Sequence, residues 1–523
     1  MKLTNLNLKK SSVLIFLLVL FVFSFSYRLY GLTTHNPPFW VDEFASANQG
    51  KLFLKYGLSA FNNPNIYIEN YNITTHLLIA VFYKLFGINE FSARLPLVFI
   101  GSIIPIIVYF LTKKIFDLQT AISASLLTVF SYFEIVWSRQ ARSYITLQFL
   151  TLTTLYLYLK FNSSKKLNKS LTAILLILFF LGIITHPLYY ILLLTLFCHF
   201  ILRNFKLFLS FLKSLWFYII FFVFFFIIFK IGFFRGFINM FSYKTFLTNN
   251  LWYYHSFLWR EYGLITFLGG LGLLSVFITK RKIITPIILY IIFHLFFILF
   301  IFKPYISRYL LPIFPLFLMG MSYTLTYLVQ NLPIRNDRLK LVISVLLTLF
   351  IIVNGYKFVN KPKKYYSLNH DFREIANIDY HQVYAVIKNR GELQKGQTLV
   401  IDTWWDRVRW YLGDNFENIV AFRWYKEEGY VNGLSKKTPF ITNGREEKIL
   451  SGTNLRLVLE VSDLVRYMNK YPKGFLFIDD SSLPEDVKNY AEKRLKKELY
   501  LDHYPLDENP YSIWPATLYS WGV

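Results

Sequence analysis

The chain has 523 residues, 55% hydrophobic and 20% aromatic, with a mean hydropathy of +0.40, which excludes an ordinary soluble globular protein and places it among multi-span membrane proteins. Its net charge of +25 does not mark a nucleic-acid binder, because residues 1–356 hold 31 Lys/Arg against 8 Asp/Glu while residues 357–523 hold 25 against 23. The excess lies in the apolar part, where the positive-inside rule and anionic lipids select basic residues beside spans, and the single cysteine, Cys198, excludes an intrachain disulfide.

Ser11 to about Tyr30 is a long apolar run behind Lys2, Lys9 and Lys10. No small-residue cleavage site follows it, so it reads as an uncleaved first span with a cytoplasmic N-terminus. The loop 31–91 then lies outside, and it carries Trp40-Val-Asp42-Glu43 near its start. The segment 73–86 is too short to cross roughly 30 Å of hydrocarbon comfortably and carries Lys84 near its end, so it is expected to be an interfacial helix. Further spans are expected near 92–112, 118–136, 143–161, 170–185, 187–203, 214–231, 263–279, 283–302, 307–330 and 340–356, about eleven in all. Their connections on the N-terminal side are basic, as at Lys113/Lys114, Arg203/Lys206/Lys213 and Lys280/Arg281/Lys282. That pattern places the C-terminal part outside as well.

From about Lys357 the composition turns to mixed charge with short apolar runs. The fold expected is therefore a polytopic α-helical membrane domain over 1–356 and an extracytoplasmic soluble α/β domain over 357–523. Within the latter, 398–402 and 474–480 read as buried strands, 461–471 and 484–498 as helices, and 513–521 as a late strand.

Three stretches could carry chemistry. Asp42 and Glu43 are two of only eight acids in the first 356 residues. They are either an N-terminal helix turn, which acids favour, or a catalytic carboxylate pair set by Phe39 and Trp40 in an apolar interfacial site that raises proton affinity. Trp137-Ser-Arg139-Gln-Ala-Arg142-Ser-Tyr144 puts two arginines at i, i+3 on the outer side, against the charge trend. They either snorkel to headgroups or clamp a phosphate by bidentate hydrogen bonds. Lys303-Pro-Tyr305-Ile-Ser-Arg308 is a second outward basic group, with Arg308 expected a turn inside the tenth span, where an arginine usually faces a cavity or partner. His186, in the turn Thr185-His-Pro187, is a further candidate, and no metal-binding spacing is present.

In order, Trp40-Val-Asp42-Glu43, Phe86-Gly-Ile-Asn-Glu90-Phe-Ser-Ala-Arg94-Leu-Pro96, Ser138-Arg-Gln-Ala-Arg142-Ser-Tyr144, the His186 turn and Arg308-Tyr-Leu-Leu-Pro312 resemble the GT-C superfamily. Its polyprenyl-phosphate-sugar-dependent membrane glycosyltransferases include protein O-mannosyltransferases and lipid A aminoarabinose transferases. The likeness covers roughly the first 320 residues. It departs at Thr74-Thr-His76-Leu, where many relatives have Pro-Pro-Leu, and at Gln140, where many have Glu.

The resemblance implies Asp42 as the base that activates an acceptor, with Glu43 positioning the acceptor or supporting a divalent metal. It further implies Arg139, Arg142, Arg308 and Lys303 around the donor phosphate, and Trp40, Tyr144, His186 and Tyr305 as substrate contacts. The expected activity is transfer of a sugar, with inversion, from a polyprenyl-phosphate donor to a lipid, glycan or protein acceptor at the outer face of the plasma membrane. A flippase for lipid-linked saccharides is the rival, but the chain lacks the paired Gly/Pro-broken spans of repeat-built transporters. A non-catalytic membrane scaffold would leave the acids and the intramembrane arginine without purpose.

Overall fold

The computed structural model describes residues 10–33, 38–62, 69, 71–163, 168–214, 218, 222, 248–302, 305–355, 358, 379–390, 393, 396–402, 404–413, 419–420, 440–442, 447–450, 456–479, 484–501 and 516–523. The chain forms two compact units that interleave in sequence. One comprises Met1–Leu29, Glu69–Thr75 and Leu97–Asn360, the other Tyr30–Ile68, His76–Pro96 and Lys361–Val523.

The first unit is helical, because its apolar runs supply whole turns of side chains that helices can bury or show to lipid. Its helices are α1 (Lys10–Leu29), α4 (Glu90–Ile115, shared with the second unit), α5 (Leu118–Phe130), α6 (Tyr132–Ser138) and α7 (Tyr144–Ser163). They continue with α8 (Lys169–Thr185), α9 (Tyr189–Arg203), α10 (Phe205–Leu212), α11 (Leu251–Thr279), α12 (Arg281–Phe296), α13 (Phe314–Gln330) and α14 (Asp337–Asn354). By length and composition, four helices among the described residues are apolar enough to cross a bilayer, or five if α5 and α6 count as one bent span. The spans expected from the sequence fall largely on helix, with departures at 118–136 and 307–330, and most of 214–231 lies outside the described residues. The shorter segment at 73–86 is also a helix, α3 (Ile73–Phe86).

Polar side chains bend this bundle at defined points. The expected span at 118–136 is broken at Ser131, with 55° between α5 and α6. Arg28, fully buried in α1, stabilises the break by donating to the Ser24 hydroxyl at 2.7 Å and to the carbonyls of Val129 at 3.3 Å and Thr128 at 3.4 Å. A guanidinium at a helix C-terminus satisfies orphan carbonyls and favours the negative end of the dipole. The expected helix at 307–330 is also corrected. Ser307–Leu310 is a 3-10 turn and α13 starts only at Phe314, because Pro312 has no N–H to donate and Pro315 fits a helix's first turn.

Helices α11 and α13 approach each other most closely through glycine. A Cβ on Gly272 would lie 1.9 Å from the Gly320 carbonyl oxygen, and one on Gly320 2.2 Å from that of Gly269. Backbone contact of this kind replaces the hydrophobic drive that lipid removes.

Among the described residues, the second unit contains α2 (Val41–Tyr56), a 3-10 turn at Gly57–Asn62 and most of α3, together with a mixed sheet and four further helices. Its strands are β1 (Thr398–Asp402), β2 (Ile419–Val420), β3 (Phe440–Thr442), β4 (Lys448–Leu450), β5 (Arg456–Leu457), β6 (Lys473–Ile478), β7 (Lys496–Leu501) and β8 (Ala516–Trp521). They lie in the order β3-β4-β5-β2-β1-β6-β8-β7. β1 is parallel to β2 and β6, and β8 is antiparallel to both β6 and β7. The helices are α15 (Tyr380–Arg390), α16 (Trp405–Leu412), α17 (Val461–Lys470) and α18 (Glu485–Arg494). Leu399, Ile401, Leu464, Tyr467, Leu476, Val487 and Trp521 form one core. The expected helix at 484–498 ends at Arg494, where Leu495 turns to extended backbone and Lys496–Leu501 pairs with β8.

Replacing Gly272 with Leu should separate α11 from α13 and lower the detergent melting temperature by several degrees, about 2–3 kcal/mol by the usual cost of overpacking. A thermal shift assay on purified protein checks this.

Candidate functional site

Within the second unit the carboxylate pair sits on the first turn of α2, where an acid meets the positive end of the helix dipole. Glu43 is fully buried and both of its oxygens are taken. Arg94 Nε donates to Oε1 at 2.8 Å and Nη2 to Oε2 at 2.6 Å, while the Trp40 backbone N–H reaches Oε2 at 3.2 Å. Arg94 Nη2 also donates to the Pro38 carbonyl at 3.0 Å, and its guanidinium lies 4.8 Å from the centre of the Phe39 ring. Such a bidentate pair needs Arg rather than Lys. Asp42, one residue earlier and about 100° around the helix, is partly exposed. The neighbours in sequence therefore have different environments, and Trp40 is the N-cap residue, almost wholly buried.

The C-terminal segment of this unit packs on the same helix. Asn48 Nδ2 donates to the Asp406 carbonyl at 2.8 Å, and Lys51 Nζ lies 3.9 Å from the centre of the Trp410 ring. The Trp410 ring packs against Phe39 at 5.3 Å, and Tyr380 and Tyr411 each meet Phe44 at 5.7 Å. At the start of α4, Glu90 Oε1 accepts from the Tyr411 hydroxyl at 3.1 Å and lies 2.8 Å from His381 Nε2. Burial, reinforced by the Glu90 charge, pushes the Tyr411 hydroxyl well above its usual range, so it remains a donor. Beneath it, Arg407 is fully buried and bridges Asp402 and Asp479. Sequence reading gave the C-terminal part no job, yet it forms the floor of α2.

The first unit carries the cationic and aromatic candidates. Arg308 is 8% exposed, with its guanidinium 5.0 Å from the Tyr144 ring centre and 5.9 Å from that of Trp137. His186 stacks obliquely on Tyr144 at 5.1 Å and meets the Tyr309 ring at 6.4 Å. Its Nδ1 accepts from the Leu188 backbone N–H at 3.1 Å, which puts the proton of the neutral ring on Nε2. Arg142 and Arg308 both act electrostatically on this ring. The fold thus assembles Tyr144, His186, Arg142 and Arg308. Arg139, the C-cap of α6, is buried in the same turn. Tyr305 instead packs with Trp252 and Tyr253, each at 5.2 Å, and Lys303 lies outside the described residues.

Several residues of this site escaped the sequence reading. Three side chains from separate helices hold the backbone around Arg308. Tyr254 donates to the Ile306 carbonyl at 3.2 Å, His294 Nε2 bonds the Tyr309 carbonyl at 2.6 Å, and Gln148 Nε2 donates to the Leu311 carbonyl at 2.6 Å. Gln148 Nε2 also bonds Oε1 of the buried Glu134 at 2.9 Å. The available signal was a lone Gln, His or Glu inside an apolar run, which is expensive unless paired.

Asn72 adopts φ 64, a left-handed conformation that Asn tolerates better than most residues. Its backbone N–H donates to the Thr185 carbonyl at 3.0 Å, and the Ser143 hydroxyl donates to its side chain. Gln140 is fully buried, and neither amide atom has a hydrogen-bond partner among the described residues. No group of three or more His, Cys, Asp or Glu side chains that could hold a metal occurs among the described residues.

Residues 73–230 match the family described as dolichyl-phosphate-mannose-protein mannosyltransferase. No curated protein sequence matches the chain. Its fold is similar to that of ArnT from Cupriavidus metallidurans in the apo state, with a TM-score of 0.56, 11% identity and 98% of each chain covered. The same protein bound to undecaprenyl phosphate gives a TM-score of 0.57 at 11% identity, again with 98% of each chain covered. The Archaeoglobus fulgidus oligosaccharyltransferase in complex with Zn and sulfate is also similar, with a TM-score of 0.54, 14% identity, and 93% of this chain and 72% of that chain covered.

Replacing Gln148 with Leu leaves Oε1 of the buried Glu134 without its donor and removes the shorter of the two bonds to the Leu311 carbonyl, which still accepts from the Phe314 N–H at 3.3 Å. The loss of stability should be about 2–4 kcal/mol, measurable as a fall in melting temperature in detergent.

Proposed function

We propose that the chain is a membrane glycosyltransferase of the GT-C superfamily that uses a polyprenyl-phosphate-linked sugar, a reading supported by the family match at 73–230 and by the likeness of its fold to ArnT and the archaeal oligosaccharyltransferase. The acceptor is a lipid, glycan or protein hydroxyl at the extracytoplasmic face of the plasma membrane, and the N-terminus is cytoplasmic. The comparison proteins were solved with undecaprenyl phosphate and with a dolichol phosphate and an inhibitory peptide, which supports a lipid-phosphate donor.

The observation that carries the mechanism is the unequal treatment of the two acids. Glu43 has both oxygens committed to Arg94 and a backbone N–H, so it positions the turn and is a poor acceptor of a substrate proton. That leaves Asp42 as the base. It takes the acceptor's proton as the acceptor oxygen attacks the anomeric carbon, the bond to the phosphate oxygen breaks, and the lipid phosphate departs with the electron pair. Attack from the face opposite the leaving group inverts the anomeric centre.

Charge developing on the departing phosphate needs preorganised cations, the role assigned to Arg308 and Arg142, with Arg139 alongside. The Nε2–H of His186 and the hydroxyl of Tyr144 supply neutral donors beside them, and the unpaired amide of Gln140 offers one donor and one acceptor group to substrate. Trp40 shapes the base's surroundings. Lys303 is assigned to the same donor-phosphate group and Tyr305 to substrate contact.

Purified Asp42→Asn protein should retain its melting temperature and donor affinity but lose transfer by about 100-fold or more. Arg308→Ala should lower kcat as well as raise the donor KM, because it removes stabilisation of the developing phosphate charge along with donor binding. Mass spectrometry of cell-surface glycans from a strain lacking the protein identifies the product for that assay. Wild-type turnover in Asp42→Asn would remove the base assignment.

A further inference from the structure

A cavity of about 590 Å³ opens in the helical unit between the C-terminal ends of α7 and α9 and the start of α12. It belongs to the other end of α7 from Tyr144. Leu159 to Ser163 follow that residue by fifteen to nineteen positions, roughly 22–28 Å along the helix. Its wall has two chemistries. Arg203 and Lys282 supply charge, while Leu159, Ile283 and Pro286 supply apolar surface. No carboxylate is among its lining residues.

Arg203 uses one nitrogen, Nη2, to cap the α7 carbonyl of Asn162 at 3.0 Å, which fixes the guanidinium at the rim and leaves its other N–H groups for a ligand. Lys282 has no hydrogen bond or ion pair among the described residues. Asn162 Nδ2, near the Tyr158 hydroxyl, is buried without a hydrogen bond of normal geometry. The cavity also borders the first turn of α12, whose N-terminal amides add positive potential.

We propose that this cavity binds the anionic phosphate headgroup of a membrane lipid, with the phosphate held by Arg203, Lys282 and the Asn162 amide and the chain laid along Leu159, Ile283 and Pro286. Generic positive-inside lysines project into water and need neither a cavity nor an apolar wall, and here both accompany the charges. The proposal goes beyond the transferase reading and does not rest on it. The site lies at the end of the bundle away from Arg308 and Tyr144 and uses none of the residues assigned to catalysis.

The test is native mass spectrometry of the full-length protein released from nanodiscs of phosphatidylcholine doped with phosphatidylglycerol. Wild-type protein should retain one tightly held phosphatidylglycerol in preference to phosphatidylcholine. Lys282→Glu, an exposed change that breaks no internal bond, should lower that occupancy by about fivefold or more. Asn162→Leu, which keeps both charges, should weaken it too. Millimolar inorganic phosphate separates the sources: retention in its presence assigns a lipid headgroup, and displacement with equal thermal stabilisation by phosphate alone assigns free phosphate at the same site. Equal retention of the two lipids, or unchanged occupancy in Lys282→Glu protein that melts as wild type, overturns the proposal.

Discussion

The buried ion pair between Glu43 and Arg94 is the constraint on which the acidic part of the chain depends. Two charges withdrawn from water cost several kcal/mol each, and the pair repays that because its geometry is bidentate, a further carboxylate lone pair is met by the Trp40 N–H and a further guanidinium N–H by the Pro38 carbonyl. The pair ties the first turn of α2 to α4 and stops the chain at 38–40 from moving independently. One carboxylate is thereby spent on structure so that its neighbour can be presented in a fixed direction. Packing of α16 against the same helix, through Asn48 and Lys51, extends that rigidity.

The cationic constellation follows a parallel logic with different parts. Arg308 stands on a short 3-10 turn rather than on a helix, and a turn has too few internal hydrogen bonds to hold a long side chain in one place. The rigidity comes from outside, from Tyr254, His294 and Gln148, each on a different helix and each bonded to a carbonyl of the turn or its flanks. Aromatic faces of Tyr144 and Trp137 then limit where the guanidinium can swing. Burying so many polar groups in a lipid-facing bundle is costly unless they are paired. Their concentration around one arginine is a reason to place function there.

How much of this could be read from sequence depended on whether the cause was local. Apolar runs mark the helices, and the short β-branched and aromatic runs at 398–402, 474–480 and 513–521 mark β1, β6 and β8, because periodicity and composition are local properties. The break at Ser131 was missed because its stabiliser, Arg28, lies about a hundred residues away. The first half of β7 falls inside the helix expected at 484–498 because Lys496–Glu498 are helix-compatible residues that become strand only by pairing with β8. Arg308 was placed one turn into a helix although Pro312 was visible and argued against it. The acidic pair was found by its rarity, but the division of labour within it was not legible. Arg94 stood in a recognised motif with no partner assigned, and nothing in the spacing of 43 and 94 says that they touch.

A double-mutant cycle on Glu43 and Arg94, each changed to Gln alone and together, addresses the central claim most directly. Chemical unfolding and the rate of sugar transfer should be measured on the same samples. The predicted result is a coupling energy of about 3 kcal/mol, with transfer impaired in both single variants although Asp42 is intact. A coupling below about 0.5 kcal/mol, or single variants that transfer sugar at the wild-type rate, would contradict the view that this pair holds the turn that presents the base.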